Sequence, residues 1–250
     1  MTTPRHRWTQ LVALGVILAL VAAACGGDTV STTTVAEATT TTSPTTSTTE
    51  EMMTTTTEPM DDMDEMVTGA AATETAAAGL QALFTAQLQE HVYLAGIAVF
   101  NAVNNPDAFE ASAATLDQNS QDLAGSVASV YGEDAGNAFL ELWRTHIGFF
   151  VDYTTARANG DQEGQDTARE GLDSYRADFG AFLESANPNL PQDAVAEELV
   201  PHVDSVFAAI DAVVDGDAGA FDTLKTAASH MPMTAAVLAA GIAEQMGLEG

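Results

Sequence analysis

The chain has 250 residues, of which 36 are Asp or Glu and only 7 are Lys or Arg, giving a formal charge of −29. Acidity on this scale excludes nucleic acid as a partner, because phosphate binding needs basic surface, and it opposes electrostatic docking on anionic lipid. The single cysteine, Cys25, excludes a disulfide framework and a thiolate metal site, so packing must hold the folded part together.

Residues 1–24 read as an export signal. Arg5, His6 and Arg7 form a basic start, and Leu11 to Ala24 is an apolar run of about 14 residues, short for a membrane span of ~20. The run ends Val21-Ala22-Ala23-Ala24-Cys25 and is followed by Gly26-Gly27-Asp28. Small residues directly before a lone cysteine resemble the lipobox of bacterial lipoproteins, with Ala22 where a leucine is usual. The resemblance implies cleavage before Cys25, lipidation of its sulfur by diacylglycerol, and anchoring on the outer face of the bacterial cell membrane.

Residues 25–68 are expected to be a stalk. From Asp28 onward Thr, Ser, Glu, Asp and Met dominate, with Pro44 and Pro59 and almost no branched aliphatic residues, so the stretch cannot form a core. As a coil it would span ~35 Å root-mean-square and lift a domain off the membrane. Met52, Met53, Met60, Met63 and Met66 are interleaved here with carboxylates. Thioethers are soft ligands suited to Cu(I), and such clusters resemble the Met-rich tracts of exported copper-handling proteins.

From residue 69 to 250 the composition turns to Ala, Leu, Val and Phe. Breaks fall at Asn104-Asn105-Pro106, Tyr131-Gly132, Asn159-Gly160, Asn187-Pro188-Asn189 and Asp215-Gly216, which are helix stop and start signals. They leave six helices of roughly 22–28 residues, each ~35–40 Å long, and no stretch alternates as a strand does. Pro201 and Pro232 should kink the last two helices. A shift of 56 residues superposes Leu116 on Leu172, Asp122 on Asp178, Glu141 on Glu197, His146 on His202 and Gly160 on Gly216 without a gap. The repeating unit is a helical hairpin that cannot bury its own apolar face, so the expected fold is all-α, an antiparallel up-and-down bundle of about six helices.

Outside the signal the histidines are His91, His146, His202 and His230, at intervals of 55, 56 and 28. With a helix every ~28 residues and the direction reversing at each turn, all four should lie near one mid-plane, ~21 Å from the bundle ends. Asn119 and Tyr175 fall on the same plane from the intervening helices, with Asp122 and Asp178 one turn further along. Two readings serve such a layer. It is a hydrogen-bonded core that only fixes helix register, in a structural or recognition module whose surface contacts an envelope protein or polymer. Otherwise it is a metal site with the four histidines as ligands, Asn119, Asp122, Tyr175 and Asp178 orienting them, and Met231 and Met233 as additional soft ligands for reduced copper. Copper, zinc and iron all suit imidazole, and the Met-rich stalk favours copper.

Glu-x-x-His, the signature of di-iron bundles, is missing, as are the nucleophile and phosphate-loop motifs of hydrolases and nucleotide enzymes, so no enzymatic activity is expected. The segments EHV, NSQDL, THI, ANPNLP, PHV and SHM between Leu88 and Met246 resemble a family of secreted, all-helical bacterial proteins without an assigned activity. That resemblance implies His91, Asn119, Asp122, His146, Asp178, His202 and His230 as shared positions.

Overall fold

A computed structural model describes residues 73–248. Cys25, the export signal and the Met-rich stalk lie outside the described residues. Within them the chain is helical throughout, with no strand. The helices are α1 (Ala76–Asn104), α2 (Phe109–Tyr131), α3 (Glu133–Asn159), α4 (Gln162–Ala186), α5 (Gln192–Glu198), α6 (Val200–Asp215), α7 (Ala220–Ser229) and α8 (Met231–Met246), with one 3-10 turn at Pro106–Ala108. They form six rods, because α5–α6 and α7–α8 are each one rod broken near a proline. Pro201 opens α6 and Pro232 opens α8, where a missing backbone donor costs nothing in a first turn.

The local chemistry of the ends is what the sequence signals imply. Thr75 caps α1 by accepting from the Ala78 amide at 3.1 Å, and Asp161 caps α4 by accepting from the Gly164 amide at 3.1 Å. Gly160 and Gly216, 56 residues apart, both close their helices in the left-handed region, at φ 70° and 69°. The equivalence continues at Tyr131 and Asn187, also 56 apart, where the Asn187 amide donates to the Tyr131 hydroxyl at 3.2 Å.

Successive rods pack as antiparallel neighbours, and α8 returns along α1 to close the bundle. α1 also touches α3, α6 and α7. Its sequence is apolar nearly all round, yet one face, with Leu83, Tyr93, Ile97 and Phe100, stays exposed. Two close approaches depend on missing side chains. Gly180 of α4 sits directly on the Gln192 backbone at the start of α5, and Gly241 of α8 on the Leu190 side chain.

Among the described residues the core has two large parts, beside a small cluster of Ala102 and Phe109. One gathers Phe84, Leu88, Leu123, Phe139, Trp143, Phe179 and Met231, and the other Tyr153, Leu172, Val203, Phe207 and Ile210. Scarce cations clamp helix to helix. Arg144 of α3 holds Asp117 of α2 by two hydrogen bonds of 2.8 Å. Arg157 of α3 reaches Asp211 and Asp215 of α6. Arg169 of α4 donates to the Tyr153 hydroxyl at 2.7 Å and lies over the Phe207 ring. Arg176 of α4 donates to the Ala196 carbonyl of α5 at 2.9 Å.

Candidate functional site: a buried imidazole layer

His91 of α1, His146 of α3 and His202 of α6 are buried, at 4%, 4% and 9% of their free exposure, together with Asn119 of α2 and Tyr175 of α4. Five rods therefore meet at the level that the helical spacing sets. The His91 and His146 ring centres are 5.4 Å apart. Trp143, one turn before His146, makes edge contacts with both, at 4.9 Å to His91 and 4.4 Å to His146. Tyr175 stacks on His146 at 5.0 Å. No ring contact joins His202 to the other two imidazoles, but all three border one cavity.

One member of the layer is fixed by hydrogen bonds. His91 Nδ1–H donates to Asn119 Oδ1 at 3.3 Å. The Asn119 amide nitrogen donates to the Gln87 carbonyl at 3.0 Å and to Glu90 Oε2 at 2.9 Å, so its orientation is set by α1 itself. With the proton held on Nδ1, the lone pair of His91 lies on Nε2. The adjacency Glu90-His91 carried this support in the sequence, but nothing there aims Glu90 at Asn119 rather than at solvent.

The other members lack such partners. Trp143 Nε1, His146 Nδ1, Tyr175 Oη and His202 Nδ1 are buried polar atoms with no hydrogen-bond partner. The His146 and His202 rings both line the cavity. An unpartnered buried polar group costs ~1–3 kcal/mol, and four in one layer form an open hydrogen-bonding site.

All three imidazoles are held neutral. Burial lowers His91 from 6.5 to about 4 against the opposing pull of its Asn119 bond. Burial, then proximity to His91 and to His230, lowers His202 to about 3. His146 is lowered well below 6.5 by burial and by its two imidazole neighbours, although the Trp143 carbonyl one turn back favours its charged form. Burial raises the Tyr175 hydroxyl well above 10. Near neutral pH the layer is thus uncharged, with a lone pair on every imidazole.

Several expected members stand elsewhere. Asp122 and Asp178 are exposed, and Asp122 pairs on the outer face of α2 with Gln118, which donates to it at 3.0 Å. The inward line of α2 runs through Leu116, Asn119, Ser120 and Leu123, so the carboxylate falls at its edge and stays hydrated. His230 is half-buried at the α7–α8 break and does not border the cavity, though it is close enough to His202 to influence it. Met231 is buried in the Phe84–Phe179 part of the core and Met233 is 65% exposed, so the two thioethers do not share a site. Among the described residues no three His, Cys, Asp or Glu side chains already stand as a metal-holding group.

The cavity itself is narrow, about 80 Å³, and reaches about 930 Å³ only when the open solvent space around it is included. From the imidazole layer it runs between α1, α3 and α6 toward the end of the bundle where α1 and α6 finish and α2 and α7 begin, past Val99, Ala102, Phe109, Ala209 and Val213. No charged residue borders it.

No protein-family model matches the chain, and no curated protein or solved structure matches it.

Proposed function

We propose that the buried layer binds one transition-metal ion through His91, His146 and His202, in a lipoprotein held outside the bacterial membrane at Cys25, for sequestration, delivery or sensing in the envelope. The observation that carries this is that the rings of His146 and His202 are buried beside one cavity and Nδ1 of each has no hydrogen-bond partner. A register-fixing polar layer would have its groups satisfied, because buried hydrogen bonds are what such a layer contributes. The spacing of His91 and His146 suits a shared ion. Two imidazoles bound tetrahedrally with metal–nitrogen distances of ~2.0–2.1 Å have ring centres about 5 Å apart, and these stand at 5.4 Å. His202 completes the set by turning within the cavity that it already borders.

The charge of the site favours copper in its reduced state. No carboxylate belongs to the layer, so a dication would enter an apolar, uncharged cavity without neutralisation, whereas a monovalent soft ion loses less hydration. Asn119, held by Glu90 and the Gln87 carbonyl, keeps His91 in the tautomer that offers Nε2. Elemental analysis of the purified protein after exposure to Cu(I), Zn(II) and Fe(II) tests the proposal. About one ion per chain, lost in the His146→Ala/His202→Ala double variant and kept in His230→Ala, is expected. No retained ion under any loading, or equal retention by the double variant, would overturn it.

A further inference from the structure

We propose that the same cavity is a binding site for an uncharged amphipathic small molecule, a long-chain alcohol or alkylphenol, seated with its hydroxyl on the imidazole layer and its apolar body toward the α1–α2 turn. The proposal does not rest on a metal, since it concerns the imidazoles in their free state.

Three observations converge on it. The first is shape. His91 and Ala102 on α1, and His202 and Val213 on α6, mark the two ends of the cavity wall. Each pair is separated by eleven residues of its helix, so the cavity is ~16 Å long at 1.5 Å rise per residue. With carbon–carbon bonds of ~1.5 Å, that length takes a chain on the order of ten carbons.

The second is polarity. Apart from the three imidazoles, Thr154 and Thr155, the side chains along the wall are apolar, and none is charged. Apolar walls with a few convergent polar groups are the usual lining of a small-molecule site, and a narrow bore suits a single alkyl chain. The imidazoles are gathered at the inner end, with Thr154 and Thr155 two turns further along α3. His91 offers Nε2 as an acceptor because its Nδ1–H is committed to Asn119. His146 and His202, neutral and with Nδ1 unpartnered, accept or donate according to the tautomer they adopt. A hydroxyl, donor and acceptor at once, satisfies this set. A carboxylate does not, because it brings a charge into an uncharged cavity and must approach an acidic protein.

The third is the mouth. Phe221 borders the cavity, is 62% exposed, and touches Phe100, itself 36% exposed, with ring centres 5.6 Å apart. Ile97, one turn before Phe100, is 47% exposed. An apolar rim on a strongly acidic surface gives an apolar chain a place to land before it enters.

The test is calorimetric titration of chelator-treated, metal-free protein at pH 7 with 1-decanol, with decane and with decanoate. Decanol should bind at one site per chain, at least tenfold more tightly than either of the others. Filling the cavity by Ala209→Phe, or from a different helix by Ala102→Leu, should weaken decanol at least tenfold. His146→Leu/His202→Leu should erase the preference for decanol over decane. Absence of decanol binding, equal affinity for decane, or tighter binding of decanoate would each overturn the proposal, and the wild-type comparison decides this even where a filled variant fails to fold. Because the titration uses metal-free protein, its failure leaves the metal proposal standing, and failed metal loading leaves this one standing.

Discussion

Lowering the pH from 7 to 5 should destabilise this protein through its imidazoles alone. The sign follows from the direction of the shifts. His91 and His202 titrate at about 4 and about 3 in the fold, against 6.5 for the free ring, so between those limits the unfolded chain binds more protons than the folded one. Stability is therefore complete above about pH 7 and falls as the pH drops through 6.5 toward 4. At pH 5 each ring forgoes about 1.5 units of protonation, or about 2 kcal/mol at 1.36 kcal/mol per unit. The two together lose about 4 kcal/mol, and His146, shifted the same way, adds to the loss. For a chain of this size, that corresponds to a fall in melting temperature of roughly 8–16 °C. Ordinary carboxylates titrate near 4 and contribute little in this interval. Urea unfolding followed by circular dichroism at half-unit steps from pH 7.5 to 5 measures the effect, and His202→Leu should remove about 2 kcal/mol of it. A flat profile, or one rising toward pH 5, would refute the burial of neutral imidazoles.

Four other outcomes follow from individual positions. Asn119→Ala strips His91 Nδ1, Glu90 and the Gln87 carbonyl of a shared partner, so chemical denaturation should show a loss of ~1–3 kcal/mol. Tyr175→Phe removes a buried hydroxyl that has no partner, so its unfolding free energy should match or exceed that of wild type, and a loss above ~1 kcal/mol would mean that the hydroxyl is bonded. Gly180→Ala sets a methyl against the Gln192 backbone and should cost ~1–3 kcal/mol. Gly148→Ala, with open space at its Cβ inside α3, should instead gain ~0.5–1 kcal/mol in the same melts.

What was legible in the sequence follows from what is local or periodic. The breaks at Gly132, Gly160 and Gly216 needed only a glycine at the end of an apolar run, and each is a positive-φ residue in the fold. The level of the layer needed only helix length and reversal of direction, so His91, Asn119, His146, Tyr175 and His202 fall together. Direction around the axis was less legible. His230, Met231 and Met233 flank Pro232 at the break, where the helical phase restarts, and no count from Ala227 gives the side each will face. Asp122 and Asp178 lie one turn from inward residues, at an angle where a leucine would turn in and a carboxylate turns out. The cavity left no trace in the chain order, because it is space between three rods remote in sequence, left where Ala95, Ala98 and Ala102 present little side chain.

The central claim, that the buried imidazoles are the ligand-binding groups, is tested most directly by nitrogen NMR of the histidine rings. The spectrum of the uniformly 15N-labelled protein at pH 7 would be recorded before and after one equivalent of Cu(I) under anaerobic conditions. Neutral tautomers are expected for His91, His146 and His202 in the free protein, with Nδ1 of His91 protonated. On addition, one nitrogen of each of the three rings should shift together while His230 stays in place. Unmoved resonances for all three rings, or a shift confined to His230, would contradict it.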